Sequence, residues 1–355
     1  MAPVESAPLE ESLALSPGLY LGADMLAQDQ ARVFAQGWQF VAHRDELSGE
    51  GDHVVTQIAG TPVLVVRGAD HVLRAFPNVC RHRAGPLALT SGRGAKTLRC
   101  RYHGWTYRLD GCLRSAPQME GATGFTIDAV RLPSLAVVEW LGLVFVTLAG
   151  KPTAFGAVVT GIAERIAPMD FGALEHVHSR EYEVPCNWKV YVDNFLEGYH
   201  LPCVHPGLAR VLDYRAYNTE LAGWYSLQHS PITGAGGVYG TGQAYYYFIY
   251  PNTMLNIMPG RLQINRVVPL TPDRCRVDFH YYYAPHSEAQ ARVTADLDFS
   301  DQVQREDAAI CESVQRGLAS GAYEAGRLCP RHEAGVWHFH RLLRNAYAGL
   351  KELPT

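Results

Sequence analysis

The sequence predicts an α+β protein with two domains: an N-terminal all-β domain, then a domain in which helices cover an antiparallel sheet. Between Phe40 and Leu148, short β-branched pieces are separated by Gly, Asp and Pro at turn positions, without a long helical period. Farther along, helical segments alternate with aromatic, strand-like segments such as "AYYYFIY" and "CRVDFHYYY". The length of 355 residues allows each domain its own hydrophobic core.

The domain boundaries are predicted where this pattern changes. In "DMLAQDQARVFAQGWQF" the apolar residues recur with a helical period that ends near Gly37. Residues 1–37 are therefore expected to form a leader and a helix that pack with the C-terminal domain. Residues 38–150 form the predicted all-β domain and residues 151–355 the predicted α+β domain. In the latter, helices are expected near residues 158–166, 188–200 and 289–317.

The composition is that of a soluble globular protein, with 47% hydrophobic and 19% charged residues. The net charge of -4 provides no general field that would attract nucleic acid. The most apolar run, from Leu135 to Leu148, is interrupted by Glu139 and is too short for a bilayer helix, so it predicts buried strands rather than a membrane span. The first residues match neither a secretory signal nor a transit peptide, so we expect a cytoplasmic protein with reduced cysteines.

Two short motifs in the all-β domain each contain one cysteine and one histidine. Cys80-x-His82 and Cys100-x-x-His103 are separated by residues 83–99. A Rieske-type [2Fe-2S] cluster needs this division, because two thiolates hold one iron and two imidazoles hold the other. Zinc also takes two cysteines and two histidines, but its common spacings group the cysteines together and the histidines together. The pattern therefore favours a one-electron cluster over zinc.

A second constellation lies in "NWKVYVDNFLEGYHLPCVHP", residues 187–206. Asn194, Glu197 and His200 recur at steps of three, which predicts that they share one face of a helix. The prolines that follow would end this helix and let His205 turn back toward the same point. A histidine pair alone is more typical of ordinary buried histidines. Beside an electron relay, however, it indicates a mononuclear ferrous site with two histidines, one carboxylate and open positions for dioxygen.

The carboxylate ligand is expected in the acidic segment "DFSDQVQREDAAICESVQRGL". This segment offers five candidates: Asp298, Asp301, Glu306, Asp307 and Glu312. Most of them must form a solvated helical face. The residues alone do not choose among them.

Together these motifs resemble the catalytic (alpha) subunit of the Rieske non-haem iron oxygenases. "CRH", "CRYHGWTY" and "NFLEGYHLPCVH" match the cluster and iron motifs of that family in order and separation, and the resemblance extends from about Trp38 to His340. It implies an N-terminal Rieske domain and a helix-grip, START-like catalytic domain. The cluster ligands it implies are Cys80, His82, Cys100 and His103. The Fe(II) ligands it implies are His200, His205 and Asp307.

The resemblance also implies an assembly and a substrate class. Family members are usually trimers in which the cluster of one subunit faces the iron of the next, with an acidic residue between them. Here that residue is Glu197, where many ring-hydroxylating relatives carry aspartate. Glutamate at position 197 and the downstream segment "FIYPNTMLNIMPGRLQINRVVPLTPDRCRVDFHYYY" are similar to the corresponding sequences of choline monooxygenases and betaine demethylases. The implied reaction is hydroxylation of a carbon of a quaternary or methylated amine, and an aromatic-ring dioxygenase is the alternative.

Aromatic side chains could recognise such an amine, because a quaternary ammonium cannot donate a conventional hydrogen bond. The candidates are Phe195, Trp224, Tyr245 and Tyr247, although tyrosines and tryptophans packed on sheet faces are the more ordinary structure. Glu197 and Asn194 are the predicted catalytic residues. The chain lacks a Gly-x-Gly-x-x-Gly turn between a strand and a helix. Electrons are therefore expected from a separate NAD(P)H-dependent flavin and iron-sulfur reductase or from a ferredoxin.

Overall fold

The computed structural model describes residues 7–167, 169–233, 241–285 and 290–349. The chain divides into two compact units. The small unit is Phe34–Phe155, and the large unit combines Met1–Val33 with Gly156–Thr355. The predicted α+β class is confirmed, because the small unit is built from short strands and the large unit from helices and one long antiparallel sheet.

The small unit contains three antiparallel sheets of three strands each among its described residues. Its strands are β1 (Gln39–His43), β2 (His53–Ile58), β3 (Thr61–Arg67), β4 (Leu73–Pro77), β5 (Leu98–Arg99), β6 (Thr106–Tyr107), β7 (Leu113–Ser115), β8 (Ala136–Trp140) and β9 (Leu143–Thr147). The sheets have the orders β1-β9-β8, β2-β3-β4 and β5-β6-β7. The apolar run that predicted buried strands forms the hairpin of β8 and β9, and every residue of β9 is buried.

The large unit contains a seven-stranded antiparallel sheet with helices before, within and after its strands in the chain. Its strands are β10 (Glu175–Val184), β11 (Asn218–Leu221), β12 (Tyr225–Thr233), β13 (Thr241–Ile249), β14 (Thr253–Met258), β15 (Arg261–Thr271) and β16 (Arg274–Tyr283). Their order is β10-β16-β15-β14-β13-β12-β11. Its helices are α1 (Ala23–Gln28), α2 (Phe155–Val158, which begins at the last residue of the small unit), α3 (Ile162–Ile166), α4 (Trp188–Phe195), α5 (Leu201–Val204), α6 (Leu208–Val211), α7 (Gln290–Ala319) and α8 (Ala334–Tyr347).

The helix predicted near residues 188–200 is shorter than expected. Helix α4 ends at Phe195, so Glu197 and His200 lie in the turn that follows it rather than on its face. Pro202 does not end a helix but lies in the first turn of α5, a position that needs no backbone N–H donor. The segment predicted near residues 158–166 is likewise two short helices, and α8 was not predicted. Among the described residues, no helix combines the length and the apolar character needed to cross a bilayer.

The segment before the small unit is anchored to α4 by buried polar contacts. The carboxylate of Asp29 accepts hydrogen bonds from Trp188 Nε1 at 2.7 Å and Tyr347 Oη at 2.5 Å, and it forms an ion pair with Lys189. Asp29 and Lys189 are both fully buried. Removing one partner would leave a buried charge uncompensated, which typically costs about 3–5 kcal/mol. Helix α4, which leads into the candidate iron site, is therefore fixed at its first turn.

Candidate metal centres and cavity

The two Cys/His motifs of the small unit form adjacent loops. Cys80 and Cys100 are buried, whereas His82 and His103 are exposed and their ring centroids lie 4.6 Å apart. The first loop closes through a hydrogen bond from Cys80 N to the Gly85 carbonyl, at 2.8 Å. In the second loop the Gly104 N–H donates to the Cys100 carbonyl at 3.0 Å. The loops therefore bring two thiols and two imidazoles together from both sides.

The surroundings of these loops fit an inorganic cluster. A Cβ atom on Gly85 would lie 2.8 Å from Cys100 Sγ, so only glycine leaves this space open. Tyr107 Oη lies 3.3 Å from Cys80 Sγ and accepts a hydrogen bond from the Arg81 N–H at 3.0 Å, which leaves its own proton for the sulfur. Burial, and then the hydrogen bond with Cys80, raise the pKa of Tyr107, so it remains a neutral donor. Hydrogen bonds to cluster sulfurs tune the reduction potential.

In the large unit, His200, His205 and Asp307 converge. Their candidate ligand atoms lie within 4.8 Å of one another, and they are the only such group of three or more among the described residues. Asp307 Oδ1 lies 2.9 Å from His205 Nε2 and 3.8 Å from His200 Nε2. The Asn194 side-chain N–H donates to the same oxygen at 2.6 Å. Two imidazoles and one carboxylate are the donor set of the facial triad of non-haem iron oxygenases.

Each of these histidines has a carboxylate on its other ring nitrogen. His200 Nδ1 lies 2.6 Å from Glu197 Oε1, and His205 Nδ1 lies 2.7 Å from Glu306 Oε2. Such partners fix the tautomer and the ring orientation, so that each Nε2 faces Asp307. Burial opposes protonation of His205, but the hydrogen bonds and charges of Asp307 and Glu306 raise its pKa. Glu306, a candidate ligand in the sequence, is thus the partner of a histidine in the structure.

The turn that presents Glu197 and His200 is closed by hydrogen bonds and by close packing. The backbone N–H groups of Tyr199 and His200 both donate to Glu197 Oε2, the second at 3.1 Å. Gly198 is buried against Tyr217, and a Cβ atom there would lie 2.7 Å from Tyr217 Cε1. A side chain at Gly198 would therefore displace either Tyr217 or the nearby Glu197 and His200.

A cavity of about 120 Å³ lies next to these residues. Helices and loops contribute Tyr191, Asn194, Phe195, Glu197, His200, Leu201, His205, Leu208, Leu212, Tyr217, Phe299, Ser300, Val303, Gln304 and Asp307. The sheet contributes Tyr246, Asn256, Met258, Arg261, Gln263, Asn265 and Phe279. The cavity thus combines aromatic walls with the histidines and carboxylates.

Only one of the four aromatic candidates lines this cavity. Phe195 does, at the end of α4, whereas Trp224, Tyr245 and Tyr247 are not among its described lining residues. Successive side chains of a strand point to opposite faces, so the lining residue Tyr246 places both neighbouring tyrosines on the other face of β13. There Tyr247 packs against Tyr225, with ring centroids 5.6 Å apart. The prediction of these three residues as a cage around this cavity is therefore corrected.

Comparison with protein families agrees with this architecture. A model described as the Rieske [2Fe-2S] domain matches residues 37–135, and a model described as the ring hydroxylating alpha subunit (catalytic domain) matches residues 171–349. The chain belongs to the Rieske oxygenases. The resemblance noted in the sequence is thereby confirmed. This Rieske oxygenase uses a [2Fe-2S] cluster and a mononuclear iron, and the cysteine, histidine and carboxylate groups described above fit both.

Relatives of this Rieske oxygenase are similar over most of its length. The chain is 34% identical to choline monooxygenase, chloroplastic, of Arabidopsis thaliana, over 95% of this chain and 84% of that protein. It is 29% identical to the carnitine monooxygenase oxygenase subunit of Escherichia coli (strain K12), over 95% of each chain.

Solved structures give the same picture. The quaternary ammonium Rieske monooxygenase CntA in complex with L-carnitine has a TM-score of 0.85 and 27% identity, covering 97% of this chain and 100% of that chain. Naphthalene 1,2-dioxygenase from Rhodococcus sp. has a TM-score of 0.77 at 18% identity, covering 94% of each chain. This second likeness establishes the fold alone.

Proposed function

We propose that this Rieske oxygenase hydroxylates a carbon of a quaternary or methylated amine, using dioxygen and electrons from a separate protein. The observation that carries the proposal is the convergence of His200, His205 and Asp307 beside a cavity with aromatic walls. The relatives named as choline and carnitine monooxygenases support the substrate class.

The residues would divide the metals between the two domains. Cys80, His82, Cys100 and His103 would hold the cluster within residues 38–150. His200, His205 and Asp307 would hold the iron within residues 151–355, with residues 1–37 packed on that domain. When bound, the cluster supplies single electrons and the iron supplies the activation of dioxygen.

The chain's own residues would orient this chemistry. Glu197 and Glu306 fix the two histidine rings through Nδ1, and Asn194 holds the Asp307 carboxylate. The aromatic rings of Phe195, Tyr246 and other lining residues would face the ammonium group, with each cation–π contact contributing about 0.5–2 kcal/mol. The same rings exclude water from the reacting carbon. Glu197 would also lie on the path of electrons from the cluster of a neighbouring subunit.

This function requires partners. We infer a separate reductase that contains flavin and an iron-sulfur centre, or a ferredoxin, and an assembly of three copies of the chain. A quaternary ammonium Rieske monooxygenase that is 26% identical to this chain, with a TM-score of 0.88, transfers electrons between subunits, which supports the assembly. A cytoplasmic location would keep the eight cysteines reduced, and no disulfide joins any two of them among the described residues.

Oxygen consumption tests the proposal. Protein loaded with iron and supplied with a surrogate reductase would be screened with choline, glycine betaine, carnitine and naphthalene. We expect amine-dependent oxygen uptake, with an aldehyde formed from choline or formaldehyde released from an N-methyl group. A cis-diol from naphthalene without uptake on any amine would select the aromatic-ring alternative instead.

A further inference from the structure

The turn between α4 and α5 is held from one side by Tyr217. This tyrosine lies directly before β11, is half-buried and lines the cavity. A Cβ atom on Gly198 would lie 2.7 Å, 2.8 Å and 3.1 Å from three atoms of the Tyr217 ring, so no free space separates the ring from the turn. Gly198 stands between Glu197 and Tyr199 in the chain. The ring therefore cannot move toward the turn without moving Gly198 and the residues bonded to it.

Gln228, a buried residue of β12, gives Tyr217 a second link to the same turn. Tyr217 Oη donates to Gln228 Oε1 at 2.9 Å, and Gln228 Nε2 donates to the Phe195 carbonyl at the end of α4, at 2.7 Å. Burial raises the pKa of Tyr217, so its hydroxyl stays neutral and keeps the proton that it donates. Tyr217 thus reaches the chain on both sides of Glu197, at Phe195 through Gln228 and at Gly198 directly.

The turn that Tyr217 contacts carries the two residues that face the iron site and the neighbouring cluster. His200 Nδ1 lies 2.6 Å from Glu197 Oε1, so a shift of the turn moves both residues together. In a cavity of about 120 Å³, a bound amine would pack against the walls, of which the Tyr217 ring is one. Because packed interiors have few voids, a small displacement of one side chain is passed to its neighbours. The Tyr217 ring is therefore a physical connection between the cavity and the turn.

Resting on the proposed function, we propose that Tyr217 is a positioning residue that couples the filling of the cavity to the position of Glu197 and His200. An amine that packs against the ring presses it onto Gly198 and Gln228 and narrows the positions that the turn can take. The amine thereby favours one arrangement of the turn over the others, because it contacts the ring differently in each. Electron transfer to the iron, which depends on the position of Glu197, is then faster in the filled enzyme than in the empty one.

The test measures how strongly the amine accelerates oxidation of the reduced cluster by dioxygen in the iron-loaded enzyme. The amine is whichever of choline, glycine betaine and carnitine gives the fastest oxygen uptake, and it is used at saturation so that weaker binding in a variant does not matter. In the wild type we expect an acceleration of at least about tenfold. Tyr217→Leu, which removes the ring, should reduce the ratio of the two rates to about one. Tyr217→Phe keeps the ring but loses the hydrogen bond to Gln228, and it should lower the ratio about threefold.

Two further variants separate positioning from contact with the substrate. Gln228→Met should also lower the ratio about threefold, although Gln228 is not among the described residues that line the cavity. Tyr225→Leu is the matched control, because Tyr225 is a half-buried tyrosine of the same strand that also donates a hydrogen bond, to the Thr160 carbonyl at 2.8 Å, outside the cavity. It should keep the ratio of the wild type.

A spectroscopic measurement reports on the iron site without turnover. Nitric oxide would be bound to Fe(II) in anaerobic protein, and its electron paramagnetic resonance spectrum would be recorded with and without the amine. We expect the amine to change the spectrum in the wild type and in Tyr225→Leu. In Tyr217→Leu the iron content should stay at the wild-type level while the spectrum no longer responds to the amine.

Three results would overturn the inference while leaving the proposed function intact. They are a wild-type ratio in Tyr217→Leu, loss of Fe(II) from that variant, and an equal fall of the ratio in Tyr225→Leu. If Tyr217→Leu does not fold, Tyr217→Phe and Gln228→Met decide, and a wild-type ratio in both overturns the inference. If no amine supports oxygen uptake, the proposed function fails and the inference fails with it.

Discussion

The two candidate metal centres both use histidines, but they place these histidines in different surroundings. In the small unit the cysteines are buried and the histidines exposed, so the imidazole side of the cluster loops lies at the surface. In the large unit His205 is buried, and both histidines are held by carboxylates beside a cavity. The first arrangement suits transfer of electrons at a surface, and the second suits a small molecule and a gas. Each centre has two histidines, so their number does not distinguish the two arrangements. The exposure of the histidines does.

Removing a histidine from the large unit gives the largest expected effect. His205→Ala should abolish iron binding there and lower turnover by at least about a thousandfold, while the cluster absorbance remains. Metal analysis with visible spectroscopy checks both centres in one sample. His176→Ala, at an exposed histidine of β10, is the control and should behave as wild type. Full turnover in His205→Ala would contradict the assignment of the iron site.

The next largest effect separates Glu197 from the ligands. Glu197→Gln should leave both centres loaded, because the glutamine can still accept a hydrogen bond from His200 Nδ1. Turnover should nevertheless fall about a hundredfold, because the substitution removes the negative charge that we propose lies between the cluster of one subunit and the iron of the next. Freeze-quench spectroscopy of the reduced cluster would locate the loss in electron transfer. Glu220→Gln, on β11, is the matched surface control. Loss of iron in Glu197→Gln, or near-normal turnover, would count against this role.

Glu306 provides the contrast, because it holds the other histidine. Glu306→Gln should weaken Fe(II) binding about tenfold and leave turnover of the fully loaded enzyme within a few-fold of wild type. An anaerobic Fe(II) titration measures this directly. Glu312→Gln on the same helix should leave the affinity unchanged. If Glu306→Gln instead behaved as Glu197→Gln does, the two carboxylates would not have distinct roles.

The smallest expected effect is in the small unit. Tyr107→Phe removes the hydroxyl 3.3 Å from Cys80 Sγ, and a hydrogen bond of about 1 kcal/mol corresponds to about 40 mV for one electron. The reduction potential should fall by about that amount, as protein-film voltammetry can measure. Tyr102→Phe, at an exposed tyrosine of the second loop, should not change it. An unchanged reduction potential in Tyr107→Phe would show that this hydrogen bond does not tune the cluster.

The same contrast explains how much of the molecule could be predicted. The cluster candidates lie in two local motifs, so the spacing of cysteine and histidine in the sequence was enough to predict all four residues. Asp307 lies about a hundred residues after His205, in a helix with several similar acids, and it came from the resemblance rather than from the pattern. Which of Tyr245, Tyr246 and Tyr247 faces the cavity depends on the pairing of β13 with its neighbours. A shift of one residue in the pairing register of β13 would turn Tyr245 and Tyr247, instead of Tyr246, toward the cavity. The composition of the segment gives no information about this register.

The predicted end of α4 was wrong for a related reason. The period of three through Asn194, Glu197 and His200 is compatible with a helix. The actual turn depends on packing of Gly198 against Tyr217, and on the Glu197 carboxylate accepting backbone N–H groups. Both are tertiary or local capping contacts that the periodicity does not contain. Asn194, Glu197 and His200 are thus brought together by a turn rather than by a helix face.

A single turnover of pre-reduced enzyme tests the central claim most directly, namely that one chain combines an electron store with an iron that reacts beside a small-molecule cavity. Reduced, iron-loaded protein would be mixed with dioxygen, with and without choline, and cluster oxidation and product would be measured together. The account predicts rapid oxidation of the cluster with product formation only when choline is present, and neither in His205→Ala. Cluster oxidation at the same rate without the amine, or product formation in His205→Ala, would contradict it.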